Sequence, residues 1–184
     1  MLRNSGAHYG AIARLLHWGM ALLIIVSIAA VELHDLFPKG GAVRNGMMMA
    51  HFQIGLLVFV LVWVRLAAVF TDKVPLITPA PPQLQYVAAK LVHLALYAAM
   101  IALPILGVLM TQAADHSLAL LGIVQVPTFI GVDKDFSKEL KEVHEVIGNV
   151  LIGLVVAHVA AAFWHHIKQH DDTLLRMLPP RRNS

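Results

Sequence analysis

The chain of 184 residues contains no cysteine. That excludes disulfides, thiolate zinc sites, thiolate-bound iron–sulfur clusters and haem attached through C-x-x-C-H. Charge is also scarce. Asp, Glu, Lys and Arg make up 14% of the residues and hydrophobic types 58%, against about 25% and about 45–50% in soluble domains. The shortage is concentrated in blocks. No charged residue occurs in Leu15–Val31, Asn45–Val64, Leu91–Ala114 or Val146–Ile167. Each block is long enough to cross a hydrocarbon core of about 30 Å as a helix. Helix is the form lipid permits, because it satisfies its own backbone. No internal repeat or low-complexity segment is visible. The formal charge of +3 is read as Lys and Arg at span ends, not as a nucleic-acid surface.

The expectation is an all-α membrane protein, a single integral membrane domain over residues 1–184. Its spans should cover about 11–33, 47–70, 87–110 and 142–167 as a four-helix transmembrane bundle. The first block is read as a span and not a signal peptide: it outruns an h-region, contains His17 and has no clear cleavage site before Glu32. The second connection, TDKVPLITPAPPQLQ, should be extended and stiff because of its prolines. The third, Thr111 to Lys141, should form a half-buried cover over one mouth. The last span is expected to open with Ser137 as N-cap and with Glu139 and Glu142 in its first turn. Both termini then share a side, which carries nine Lys and Arg residues against five opposite. That bias puts the termini in the cytoplasm.

Of the eleven histidines, His17, His51, His93 and His158 lie inside these blocks and His144 just ahead of the last. An intramembrane imidazole is costly unless it faces the bundle interior and finds a partner. In HEVIGNVLIGLVVAH, His144 and His158 lie fourteen residues apart, on nearly one helix face and about 21 Å apart along the axis. His51 matches His144 in depth, and His17 or His93 matches His158. The result is two stacked histidine pairs, the arrangement that two low-spin b-type haems require. Gly148, Gly153, Gly55 and Gly19 would leave room beside such plates. A zinc site fits poorly, because ligands at two levels do not converge on a tetrahedron. A haem-free proton relay remains the competing reading of the same histidines. His165, His166 and His170 are read first as interfacial polar residues.

RLLHWGMALLI, HFQIG, LVHLALYAAMIALPILG, HEVIG…H and the ending DTLLRMLP together resemble the bacterial cytochrome b561 family, in order, over nearly the whole chain. The resemblance implies a bacterial inner membrane location and two non-covalent haem b groups with axial ligands His17, His51, His144 and His158. It places His93 near the haem or quinone, not on iron. It also implies ubiquinone as electron acceptor. Superoxide is the expected donor, as in the superoxide oxidases of that family, with a partner redox protein or dehydrogenase as the alternative. Arg14, Lys90, His93 and His165 are expected quinone or propionate contacts. Lipid is the surrounding partner and no nucleic acid is expected.

Overall fold

The computed structural model describes residues 2–179. Four helices dominate it: α1 (Ala11–Leu33), α2 (Ala42–Thr71), α3 (Gln83–Ala113) and α4 (Lys134–Trp164). All four are long and apolar enough to cross a membrane. The shortest, at 23 residues, spans about 35 Å. Their starts follow local chemistry. Gly40 holds a left-handed backbone (φ 78°) just ahead of α2, a conformation glycine adopts without strain. Pro82 precedes α3 and closes the extended proline-rich connection.

The helix that the sequence opens at Ser137 begins earlier. Asp133 is the N-cap of α4, accepting from the backbone N–H groups of Asp135 (3.1 Å) and Phe136 (3.0 Å). Ser137 turns its hydroxyl to the Met110 carbonyl instead (2.8 Å). Glu139 and Glu142 therefore fall after the first turn, where little dipole remains to favour them. The charged run Lys134–Lys141 is helix that precedes the apolar stretch.

Packing is uneven around the bundle. α1 lies along α2, α3 along α4, and α2 touches α3; among the described residues, nothing comparably close joins α4 to α1 or α2. The buried core of Met20, Val58, Val62 and Met100, flanked by Leu23, Ile54 and Tyr97, comes from α1, α2 and α3. Apolar side chains also cover the outside. Leu15 is 77%, Leu22 63% and Leu94 66% exposed, as a lipid-facing surface requires.

The residues before α1, the end of α2, the start of α3 and the residues after α4 meet at one end, here called the terminal face. There the chain is woven into a cap. The Asn4 backbone N–H donates to Asp72 (2.8 Å), and its side-chain amide to the Lys73 carbonyl (2.7 Å). Thr78 N–H donates to Asp172 Oδ1 (2.9 Å), and Asp172 N–H to the Thr78 carbonyl (3.1 Å). Arg176, 5% exposed, donates to the Pro75 carbonyl and lies over the Tyr9 ring. Trp18 Nε1 donates to Met177 O (2.8 Å).

At the opposite face, a two-residue hairpin, β1 (Ala119–Leu120) with β2 (Val124–Gln125), pairs Ala119 with Gln125. Gln53 of α2 holds it, donating to Ala119 O (3.0 Å) and accepting from Leu121 N (2.7 Å). Gln112 of α3 does the same for Pro127 O (2.7 Å) and Phe129 N (2.9 Å). Along the cover expected there, Leu118–Leu120, Val126 and Ile130 are half-buried and the rest of residues 115–132 is exposed. The hairpin tip projects outward, with Ile123 80% exposed.

Candidate functional site: two histidine levels in the bundle

The first level lies toward the opposite face. His51 of α2 and His144 of α4 stand with ring centroids 6.1 Å apart and planes at 77°. Ser27 of α1 fixes the His51 ring, with its Oγ 3.0 Å and its carbonyl oxygen 3.1 Å from Nδ1. An Nδ1–H bonded this way leaves Nε2 as the lone-pair nitrogen. His144 Nδ1 leans toward the Leu103 backbone without forming a well-aligned bond. The ring packs against Gly107, where a Cβ would meet His144 Cε1 at 3.6 Å, an ordinary van der Waals distance.

Around this pair is a cavity of about 390 Å³, within the range of ligand sites. Gly55, Pro104 and Gly148 are among its walls, with Glu32, Asp35 and Glu145 also lining it. A Cβ on Gly55 or Gly148 would meet nothing within 4 Å. Arg44 pairs with Asp35 at 2.6 Å and Lys141 with Glu145 at 3.4 Å.

The second level lies toward the terminal face and is more crowded. His17 of α1 and His158 of α4 have centroids 6.2 Å apart at 64°. His93 of α3 stands 5.4 Å from His158. Arg65 of α2 points Nη2 at His17 Nδ1 (3.1 Å) and donates through Nε to Tyr97 OH (2.9 Å). Trp18 sets its ring edge-on to His17 at 5.0 Å. Gly19 and Gly153 also face open space. Among the described residues, no three histidines or carboxylates converge as a metal cage.

The remaining sequence-derived residues divide. Arg14 belongs to the cap, donating to Leu178 O (3.1 Å). So does His165, whose Nδ1 is 2.5 Å from Asp171 Oδ2. Lys90 is exposed, stacks on Tyr86 at 5.3 Å, and lies one turn before His93 on α3. Sequence reasoning missed Ser27, Tyr97, Asp171 and the site role of Arg65. Arg65 carried a signal: it is a charge six residues inside the end of an apolar helix.

Four membrane-length helices with imidazole pairs facing across their interior define a class, the membrane-bound b-type cytochromes. The chain belongs to the prokaryotic cytochrome b561 family, whose model matches residues 8–180. It is 37% identical to cytochrome b561 homolog 1 of Escherichia coli K12 over 167 residues, covering 91% of this chain and 94% of that protein. It is 30% identical to a probable superoxide oxidase, CybB, of Yersinia pestis, covering 91% and 93%. Cytochrome b561 homolog 2 of Escherichia coli K12 is 28% identical, with coverage of 95% and 93%. The protein is therefore a multi-pass membrane protein of an electron-transferring family, and membership implies b-type haem.

Proposed function

We propose that this chain carries electrons through the membrane from a donor at the opposite face to ubiquinone at the terminal, cytoplasmic face of a bacterial inner membrane. In this reading His51 with His144 and His17 with His158 each hold one haem b. One observation carries it: the pairs share the same spacing, 6.1 and 6.2 Å between centroids. Two imidazoles bound to one metal at about 2.0–2.1 Å each put their ring centres about 6 Å apart. His93, at 5.4 Å from His158, departs from that spacing more than His17 does. That supports His17 as the ligand and leaves His93 beside the site. The open space at Gly55, Gly148, Gly19 and Gly153 supports room for the plates.

Haem b, when bound, supplies a one-electron carrier at each level. The chain supplies the surroundings. Ser27 orients His51, and the apolar cluster of Met20, Val58, Val62 and Met100 packs α1, α2 and α3 together. Ubiquinone needs two electrons and two protons to become the quinol. Lys90, His93, Arg14 and His165 are the polar groups nearest that task at the terminal face, and the His165–Asp171 pair can hold a proton at Nδ1.

Superoxide is the donor we propose first, each anion giving one electron and leaving as O2. The name of the Yersinia relative supports it. A partner redox protein is the second reading. It is favoured by the cavity wall, where Glu32, Asp35 and Glu145 stand and Arg44 and Lys141 are taken up in ion pairs with two of them, so that no net positive charge draws in a small anion. Stopped-flow mixing of the purified, haem-loaded protein with superoxide, with and without ubiquinone, separates them. Rapid reduction of b-type bands that discharges into ubiquinone supports the first reading. Normal spectra with no reduction support the second. Preparations lacking b-type bands would sink both in favour of a proton relay.

A further inference from the structure

Arg65 stands where a helix in lipid should carry no charge. It is part-buried in α2, six residues before the helix ends at Thr71. Among the described residues, no carboxylate pairs with it. Its partners are His17 Nδ1 at 3.1 Å and Tyr97 OH at 2.9 Å. An intramembrane guanidinium held this way is expensive, and such residues mark function.

The first of these bonds cannot survive iron ligation. A guanidinium has five donors and no acceptor. It can bond His17 Nδ1 only while that nitrogen keeps its lone pair, which puts the ring proton on Nε2. An imidazole that ligates iron through Nε2 has the reverse arrangement, with its proton on Nδ1. Arg65 and Nδ1 would then be two donors pointed at each other. The contact must exchange for an acceptor, and the anions that arrive with haem b are its own propionate carboxylates. Arg–carboxylate pairs are among the strongest charge-assisted hydrogen bonds.

We infer that, once haem b occupies the His17–His158 pair, Arg65 leaves His17 Nδ1, stays anchored on Tyr97, and donates to a propionate of that haem. The fixed positive charge favours the reduced iron and raises its potential above that of the haem at His51–His144. The two surroundings reinforce one another. His51 Nδ1 faces the acceptors of Ser27, which make the ligand more electron-rich and favour the oxidised iron. Electrons are thereby driven from the opposite face toward the terminal face. This inference rests on the haem assignment proposed above.

Optical redox titration of the purified haem-loaded protein tests it, with H17A used to identify which wave belongs to which level. At a fixed potential, R65Q should lower the reduced-to-oxidised ratio of the terminal-level haem by about tenfold, which is 59 mV for one electron. The other wave should stay in place, and R65K, which keeps the charge, should stay near wild type. The resonance Raman bending band of the propionates should shift in R65Q. An unmoved wave in R65Q with two haems bound overturns this inference alone. If R65Q loses the haem, R65K decides: two haems at near wild-type potentials support the role of charge, and loss in R65K as well overturns it. An H17A protein that keeps both haems overturns the ligand assignment and this inference with it.

Discussion

The two histidine levels share a geometry and differ in nearly everything around it. Centroid separations are 6.1 and 6.2 Å. The level toward the opposite face has a cavity of about 390 Å³ and neutral acceptors on His51. The terminal level has a third imidazole, a guanidinium and a woven cap beneath it. Equal spacing with unequal surroundings suits two carriers of one chemistry tuned to different potentials. Charge and hydrogen bonding around a haem, not the ligand type alone, set that tuning. α4 contributes to both levels, so the differences come from α1, α2 and α3.

The largest expected effect breaks one level and spares the other. H144A and H51A should each empty the same haem, halving haem per chain and cutting quinone reduction by more than about a hundredfold. Removing a metal ligand deletes the site and does more than weaken it. H158A should empty the other haem. H93A should keep both. Haem quantification with reduced-minus-oxidised spectra reads all four. If H93A loses a haem and H17A does not, the terminal pairing reverses to His93 with His158.

A smaller and more selective effect tests the cavity. G148L adds a branched side chain where a Cβ meets nothing within 4 Å. The helix should tolerate it, since leucine propagates helix better than glycine by roughly 1 kcal/mol. The plate should not. Haem at the His51–His144 level should be lost while helical circular dichroism and the other haem persist. Two haems in G148L would mean that this space serves something else.

Much of this was legible in the sequence, and the misses have physical causes. Charge-free blocks gave the four spans, and a fourteen-residue interval put His144 and His158 on one face. The structure brings His51 to the first and His17 to the second. Hydropathy is blind to polar helix, so it leaves the charged turns Lys134–Lys141 outside α4 and points to Ser137 as the cap in place of Asp133. Arg65 read as a span-end marker, because a charge bounding an apolar block looks the same whether it faces headgroups or a histidine. The terminal cap was invisible for another reason. Arg176 bonds to Pro75, 101 residues away, and no local pattern encodes a contact at that separation.

That cap separates the levels further, because charged groups tie it together, while the cover at the opposite face is held by the neutral amides of Gln53 and Gln112. R176A should destabilise it by about 3 kcal/mol. Removing one partner of a buried charged contact leaves the other unsatisfied, and here the Pro75 carbonyl would be stranded. Thermal unfolding in detergent should show the loss, and the terminal-level haem should become more accessible to reductant while the other changes little.

The smallest effect is on the acid side. Burial pushes the Asp171 carboxyl up, but hydrogen bonds from His165 and Thr173 outweigh it and hold the group below its ordinary value. A carboxylate depressed in the folded state contributes stability that is full above its unfolded value, about 3.9. That contribution is lost as pH falls through the lower folded value. Between pH 5 and 8 the cap should therefore be insensitive to this group, and it should loosen below about pH 4. D171N should cost about 1.5–3 kcal/mol at neutral pH, the range for a hydrogen bond to a charged group. It should also flatten the acid limb of a plot of melting temperature against pH. An acid limb unchanged in D171N would move the acid-sensitive contact to Asp72 or Asp172, the other carboxylates that tie this cap together.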